Sequence, residues 1–166
     1  LNIAIKAAEL CRKISPDTRI VWGGVMPSLA PEVIINEAEA DYIIRFEGEE
    51  AFPKLVSDLE NGNDPRGLGN LVWKEGDKVI IGNRSPVLNL KDYPPIDFKD
   101  LPDEKYVNTD RGFGERVITL NTSRGCPYSC TFCYTSFYHE NKWRSFPVEW
   151  VLDTIEKLVD IYKIDA

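Results

Sequence analysis

The predicted fold depends on two short runs of sequence, Arg19-Ile20-Val21-Trp22-Gly23-Gly24 and Asp41-Tyr42-Ile43-Ile44-Arg45. Each run is rich in β-branched and aromatic residues and is bounded by turn residues, as is typical of a buried strand. Helical patterns precede the first run at residues 3–14, separate the two runs at residues 31–38, and follow the second run up to Asn61. Helices that alternate with strands in this order predict a doubly wound parallel sheet, an α/β fold.

The spacing of apolar residues also predicts which helix faces are buried. In the first helix these residues share one face, and Cys11 is among them, so we expect a packed thiol there. The complete set on that face is Ile3, Ala7, Leu10, Cys11 and Ile14.

The pattern changes after Asp64-Pro65. Two apolar runs flank Glu75-Gly76-Asp77, which predicts a hairpin, and the proline-rich stretch over residues 85–114 predicts a linker on the surface. Val117-Ile118-Thr119-Leu120 then predicts a new strand, and Pro147 opens a helix. The predicted apolar face of that helix comprises Trp150 or Val151, Ile155, Leu158, Val159 and Tyr162. A strand, a loop and a helix in this order indicate the first βα unit of a second α/β domain, barrel-like or open.

These patterns divide the chain into three parts. Residues 1–66 are predicted to form a doubly wound parallel sheet, residues 67–114 a hairpin and proline-rich linker, and residues 115–166 the opening unit of a second α/β domain, barrel-like or open. The chain opens with Leu1 rather than Met and stops just after a helical pattern. We interpret it as an internal piece of a longer protein.

The charge balance argues against a surface that binds nucleic acid. The 166 residues include 20 Lys and Arg against 27 Asp and Glu, a net charge of −7, whereas phosphate-binding surfaces carry a basic excess. No apolar run approaches the roughly 18 residues that a membrane span requires, and no signal-peptide pattern opens the chain. These features predict a cytoplasmic protein with reduced cysteines.

Three of the four cysteines lie close together in Cys126-Pro127-Tyr128-Ser129-Cys130-Thr131-Phe132-Cys133, with the spacing C-x3-C-x2-C. Cysteines this close are more often metal ligands than a disulfide framework. A [4Fe–4S] cluster normally takes four thiolates, so three would leave one iron open to another ligand. The alternative is a structural zinc site, for which His139 is the nearest candidate fourth ligand.

The longer segment from Ser123-Arg124-Gly125 to Tyr134 resembles the cluster loop of radical S-adenosylmethionine enzymes. The resemblance implies that Cys126, Cys130 and Cys133 hold a [4Fe–4S] cluster whose fourth iron is chelated by S-adenosylmethionine. An electron from the cluster then cleaves the sulfonium and releases a 5′-deoxyadenosyl radical. The resemblance further implies that Phe132, the aromatic residue before the third cysteine, lies near the adenine.

The front of the chain resembles the back half of the cobalamin-binding domain found upstream of many radical enzymes. The segments that match are Trp22-Gly23-Gly24-Val25-Met26-Pro27-Ser28, Pro31-Glu32 and residues 41–50. The resemblance implies that the turn at Gly23 and Gly24 lies beside the nucleotide tail of cobalamin, where missing side chains let a ligand approach the backbone. The alternative is a tight turn in an ordinary doubly wound sheet.

Together the two resemblances imply a fragment of a cobalamin-associated radical S-adenosylmethionine enzyme. In this fragment, residues 1–66 are the C-terminal part of the doubly wound cobalamin-binding sheet, and residues 115–166 are the first βα unit of a partial TIM-type radical S-adenosylmethionine barrel. The implied reaction is methyl transfer, rearrangement or oxidative cyclisation on a small molecule, with an external electron donor such as flavodoxin or ferredoxin. No residue of this chain is assigned a catalytic role. Two other functions are kept as alternatives, a methylthio-transferring radical enzyme that acts on RNA and a non-catalytic module that holds structural zinc.

The polar residues near these motifs are predicted to have ordinary structural roles. His139 lies in a polar segment and is expected to be solvated, and Arg144 is expected to form a surface ion pair. Glu47, Glu49 and Glu50 precede a helix, so their carboxylates are expected to interact favourably with its dipole.

Overall fold

A computed structural model describes residues 1–94, 96, 98, 107 and 114–165 of the chain. Short 3₁₀ turns at Pro65–Gly67 and Leu90–Asp92 accompany the helices and strands. In chain order these elements are α1 (Asn2–Ile14), β1 (Val21–Gly23), α2 (Val25–Leu29), α3 (Pro31–Glu37), β2 (Tyr42–Ile44), α4 (Ala51–Glu60), β3 (Leu71–Glu75), β4 (Lys78–Ile81), β5 (Ser123–Arg124), α5 (Tyr134–His139), β6 (Arg144–Ser145) and α6 (Val148–Tyr162).

Strands β1 to β4 form one mixed sheet in the order β1-β2-β3-β4. Strand β1 runs parallel to β2, with Gly23 opposite Ile44, and this pairing confirms the predicted α/β class. The predicted hairpin is β3–β4, and β3 pairs antiparallel with β2. The hairpin therefore extends the sheet, which makes the sheet mixed where the sequence predicted a parallel one.

The sheet is buried on both faces because its apolar side chains alternate. Ile43 and Val72 pack on one face against α3, together with Ile34, Ile35 and Ala38. The neighbouring Ile44 and Leu71 point to the opposite face and pack against α4, where Leu55 is fully buried. Adjacent residues of a strand point to opposite faces, so each two-residue run supplies both cores. The result is three layers, helix, sheet and helix.

Helix α1 contacts the sheet through a face other than the predicted one. Ala8 is buried and Ile5 packs against the α3 side of the core, while Arg12 donates a 2.6 Å hydrogen bond to Asp41 at the start of β2. Ile3 and Cys11, on the predicted face, are exposed. The prediction of a packed Cys11 was therefore wrong, because α1 carries two overlapping apolar stripes and the sheet covers the one that contains Ala8.

The stretch predicted as a surface linker over residues 85–114 lies partly outside the described residues. Where it is described, Leu90, Phe98 and Val107 are buried, so these positions are packed and do not run over the surface. Phe98 and Val107 contact Leu158 and Tyr162 of α6, the two residues of the predicted apolar face that are buried. Ile155 and Val159 on that predicted face remain exposed.

The strand predicted at residues 117–120 is not formed, and Val117 makes only an isolated bridge. Nearby, the amide of Asp165 donates to the carbonyl of Arg116, which is too little pairing for a ladder. Among the described residues from 114 onward, strand pairing beyond that bridge is limited to the two-residue ladder β5–β6, which pairs Arg124 with Arg144. In the part of the chain that the structure describes, no helix has the length and apolar character needed to cross a bilayer.

Candidate functional site

An open cavity of about 940 Å³ lies between the carboxyl ends of β1 and β2 and the segment that carries the cysteines. Gly23 and Gly24 form part of one wall, and Arg124, Gly125 and Cys126 form part of the opposite wall. The carboxyl edge of parallel strands is where α/β sheets bind ligands. The structure therefore brings the predicted glycine turn and the first predicted cysteine ligand to one cavity.

Of the two glycines in the turn, only Gly24 has backbone dihedral angles that a residue with a side chain would not readily adopt. Gly24 has φ +92° and ψ −164°, a combination that is essentially limited to glycine. A Cβ on Gly24 would meet nothing within 4 Å, whereas a Cβ on Gly23 would lie 3.6 Å from the carbonyl oxygen of Ile44, an ordinary contact. Gly24 is therefore required by its dihedral angles, and Gly23 is the position where an added side chain tests the space.

Ser28 fixes this turn and was not singled out by the sequence. Its hydroxyl is fully buried, donates to the Gly24 carbonyl oxygen at 2.6 Å and accepts from the Phe46 amide at 2.7 Å. Phe46 itself has φ +60°, which is uncommon for an aromatic residue. The serine thus joins the turn after β1 to the segment after β2, and both lie at the cavity.

The cysteine segment is open to ligands. Cys130 is exposed, Cys126 and Cys133 are half-buried, and all three thiols are free of disulfides. Hydrogen bonds to the side chain and backbone of Thr135 hold the pKa of the Cys133 thiol below its ordinary value, which favours the thiolate that binds metal. Phe132 is 91% exposed.

The three thiols are not gathered around one point. Among the described residues, no group of three His, Cys, Asp or Glu side chains lies close enough to hold a metal ion, and only Cys126 of the three cysteines lines the cavity. Three free thiols on one short, accessible loop nevertheless fit an iron–sulfur cluster in number and chemistry, because such clusters are held by cysteine thiolates. His139, the candidate fourth zinc ligand, is instead engaged by Arg144.

A buried carboxylate, Glu47, lies in the cavity wall between the two halves of the chain. Its side chain is 8% exposed. It accepts two hydrogen bonds from the guanidinium of Arg144, at 2.9 and 2.7 Å, and Arg124 and the Nδ1 atom of His139 approach it at 3.5 and 3.6 Å. Burial alone would raise the pKa of Glu47, but the hydrogen bonds and charge of Arg144 outweigh burial and hold that pKa below its ordinary value.

Three interpretations from the sequence are corrected by this geometry. Glu47 does not serve the helix dipole, because its carboxylate is paired with Arg144. Arg144 forms a buried ion pair where a surface pair was predicted, since its side chain is 15% exposed. His139 is not solvated, because its side chain is 13% exposed, and its Nδ1 atom lies 3.1 Å from an Arg144 nitrogen. Burial is the main reason that the pKa of His139 is lowered.

Further contacts tie the segment after the cysteines to the sheet domain. Tyr138 of α5 donates a hydrogen bond to the Phe46 carbonyl oxygen, and Arg84 donates to the carbonyl oxygens of Phe137 and Tyr138 at 2.9 Å each. The Arg84 guanidinium also lies 3.9 Å from the centre of the Phe46 ring, a cation–π distance. Helix α5 was not predicted, because its six residues are too few to show helical periodicity.

Several curated proteins resemble this chain over most of its length. No family model matches it. An uncharacterized methyltransferase of Pyrococcus horikoshii is 33% identical over 157 residues, which is 93% of this chain and 33% of that protein. A cobalamin-dependent radical SAM methyltransferase of Streptomyces tokunonensis, TokK, is 30% identical over 92% of this chain and 23% of that protein. An anaerobic magnesium-protoporphyrin IX monomethyl ester cyclase of Synechocystis is 28% identical over 79% of this chain and 26% of that protein.

Solved structures show the same fold. The cobalamin-dependent S-adenosylmethionine radical enzyme OxsB, solved with aqua-cobalamin and S-adenosylmethionine bound, superposes with a TM-score of 0.73 at 24% identity over 96% of this chain and 22% of that protein. The chain thus spans a third or less of each of these four proteins. Over most of its length, the chain is therefore similar in sequence to one segment of proteins that include a cobalamin-dependent radical SAM methyltransferase and an anaerobic magnesium-protoporphyrin IX monomethyl ester cyclase.

Proposed function

We propose that this chain is part of a cobalamin-dependent radical S-adenosylmethionine enzyme and holds its [4Fe–4S] cluster through Cys126, Cys130 and Cys133. The observation that carries the proposal is the cavity that Cys126 shares with the Gly23–Gly24 turn. One wall offers thiolates for a cluster, and the other offers bare backbone for the nucleotide tail of cobalamin. The proposed reaction is methyl transfer, rearrangement or oxidative cyclisation on a small molecule.

The residues of the site then have separate roles in binding the cofactors. The bound cluster with S-adenosylmethionine supplies reductive carbon–sulfur cleavage, chemistry that no side chain provides. The three thiolates hold the cluster and leave one iron for S-adenosylmethionine, and Phe132 packs beside the adenine. Gly23 and Gly24 leave room for cobalamin. An external one-electron donor such as flavodoxin or ferredoxin and a cytoplasmic location belong to the same proposal.

The net charge of −7 supports a small-molecule substrate over RNA, since RNA binding requires basic residues along the phosphates. The methylthio-transferring alternative implies further cysteines in the N-terminal domain, and residues 1–125 of this chain supply only Cys11, which is exposed on α1.

Metal analysis of the whole protein that contains these residues tests the proposal. After anaerobic reconstitution with iron and sulfide, we expect about four irons and four sulfides bound through this loop and a broad brown absorbance. Cys130→Ala should abolish the absorbance, and the matched control Cys11→Ala should not. One zinc per chain, or a full cluster in Cys130→Ala, would contradict the proposal, and a second cluster that depends on Cys11 would favour the methylthio-transferring alternative.

A further inference from the structure

The carboxylate of Glu47 lies where two strand pairs meet. Glu47 follows β2 by three residues, and the last residue of β2, Ile44, is paired with Gly23. On the other side, Arg144 of β6 is paired with Arg124 of β5. Arg124 directly precedes Gly125 and Cys126 in the chain. One buried side chain therefore connects the strands that carry the glycine turn to the strands that carry the cysteine loop.

A second ion pair runs parallel to the first. Arg124 donates to the carboxylate of Glu49 as well as approaching that of Glu47, so two arginines meet two carboxylates across the junction. An arginine that binds a carboxylate through two nitrogens is fixed in direction as well as in distance. The pair of Arg144 with Glu47 has this two-point geometry, at 2.9 and 2.7 Å.

The Glu47 pair is also the less replaceable of the two. The side chain of Glu47 is 8% exposed, whereas that of Glu49 is 39% exposed. Water can therefore replace an arginine at Glu49 but has little access to Glu47. Removing one partner of a buried pair leaves the other charge uncompensated, which is strongly unfavourable. Loss of the Glu47 charge should therefore leave Arg144 with only the Leu88 carbonyl oxygen and His139 as neighbouring partners, and should loosen the β5–β6 ladder.

We propose that Glu47 is a positioning residue that sets the spacing between the cysteine loop and the Gly23–Gly24 turn. Under the proposed function, on which this inference rests, that spacing is the distance between the iron–sulfur cluster and cobalamin. Glu47 acts through Arg144 and Arg124 and needs no contact with substrate.

Amide hydrogen exchange tests the linkage without any cofactor. In the cofactor-free whole protein, Glu47→Gln should speed the exchange of the hydrogen-bonded amides at the base of the cysteine loop, those of the β5–β6 ladder and of Cys133, by at least about tenfold. The matched control is Glu50→Gln, which removes the charge of an exposed neighbour and should change nothing in that loop. Equal exchange in the wild type and Glu47→Gln would overturn the inference.

A second variant covers the case in which Glu47→Gln does not fold. Arg144→Lys keeps the positive charge but loses the two-point geometry, so it should also speed exchange in the loop. If Arg144→Lys leaves loop exchange at the wild-type rate, Glu47 does not position the loop through Arg144, and the inference fails.

Electron paramagnetic resonance separates this inference from the proposed function. In protein loaded with cluster and hydroxocobalamin and then reduced, dipolar coupling between the cluster and cob(II)alamin reports their separation. We expect one narrow distance in the wild type and in Glu50→Gln, and a broader distribution in Glu47→Gln at unchanged iron and cobalt content. An unchanged distribution overturns the positioning role, whereas a wild-type protein that binds no cluster or no cobalamin overturns the proposed function, and the exchange experiment still decides the linkage.

Discussion

Gly125, the residue before the first cysteine, is the position where one added methyl group should do the most damage. Its φ is +86°, and a Cβ built on it would lie 2.0 Å from the carbonyl oxygen of Lys142 and 3.2 Å from the Cβ of His139. Ordinary contacts begin at 3.4 Å, so the Lys142 carbonyl would have to move by 3.4 − 2.0 = 1.4 Å. That oxygen belongs to the backbone of the turn that leads into β6, and it cannot swing aside as a side-chain end would.

Two costs add at Gly125→Ala. The left-handed backbone costs about 1–2 kcal/mol for a residue with a Cβ, and overpacking costs about 1–3 kcal/mol. The free energy of unfolding should therefore fall by about 2–5 kcal/mol, which lowers the melting temperature by about 4–20 °C for a domain of this size.

Gly76→Ala is the matched control for this prediction. Gly76, in the β3–β4 turn, has φ +60° and nothing within 4 Å of its Cβ position, so it carries only the backbone cost. Thermal unfolding of both variants, followed by circular dichroism, measures the difference. A melting temperature for Gly125→Ala that is no lower than that of Gly76→Ala would refute the steric reasoning.

Three further predictions concern the cavity and the chain. Gly23→Val places its Cβ in ordinary contact with the Ile44 carbonyl oxygen and needs no left-handed backbone, so the protein should fold but retain less hydroxocobalamin in equilibrium dialysis; unchanged retention would favour a plain structural turn. The folded state lowers the pKa of Glu47. The stability that its ion pair contributes should therefore be fully present above the ordinary pKa of 4.5 and should be lost as the pH falls from 4.5 through the folded value. Urea titrations should show this loss in the wild type and not in Glu47→Gln. Residues 1–166 expressed alone should make no catalytic amounts of 5′-deoxyadenosine from S-adenosylmethionine and dithionite, since the cavity is open to water; chromatographic detection of such amounts would contradict this expectation.

Local pattern predicted the sheet well because the same residues decide both the strand and its burial. Ile43 is buried on one face of the sheet and Ile44 on the other, as a central strand between two helical layers requires. The antiparallel pairing of β3 with β2 could not be predicted from the sequence, because it depends on contacts between residues far apart in the chain. The burial of Phe98 and Val107 was missed for the same reason, since their partners are in α6.

The candidate ligands could be proposed from the sequence, whereas the side chains that hold their segment in place could not. Cysteine spacing is a local signal, so the loop could be identified directly. The partners of Glu47 lie 77 and 97 residues away in the sequence, and a single charged residue gives no sign of a partner at that distance. Ser28 was missed because an isolated serine in a helix start usually serves its own helix, whereas this one also accepts the Phe46 amide.

The sequence separation between Glu47 and Arg144 gives the cysteine loop a place in the order of folding. A chain emerges from its N-terminus and folds unit by unit during synthesis, so we expect strands β1 to β4 to form before Arg144 can reach Glu47. Contacts of long sequence separation also form late, because closing a long loop must precede them. The loop is therefore docked last, onto a finished surface that already presents Glu47. Iron and sulfide that arrive before the loop docks can reach the three thiols. A variant that slows folding of the sheet should therefore accumulate as cluster-free protein.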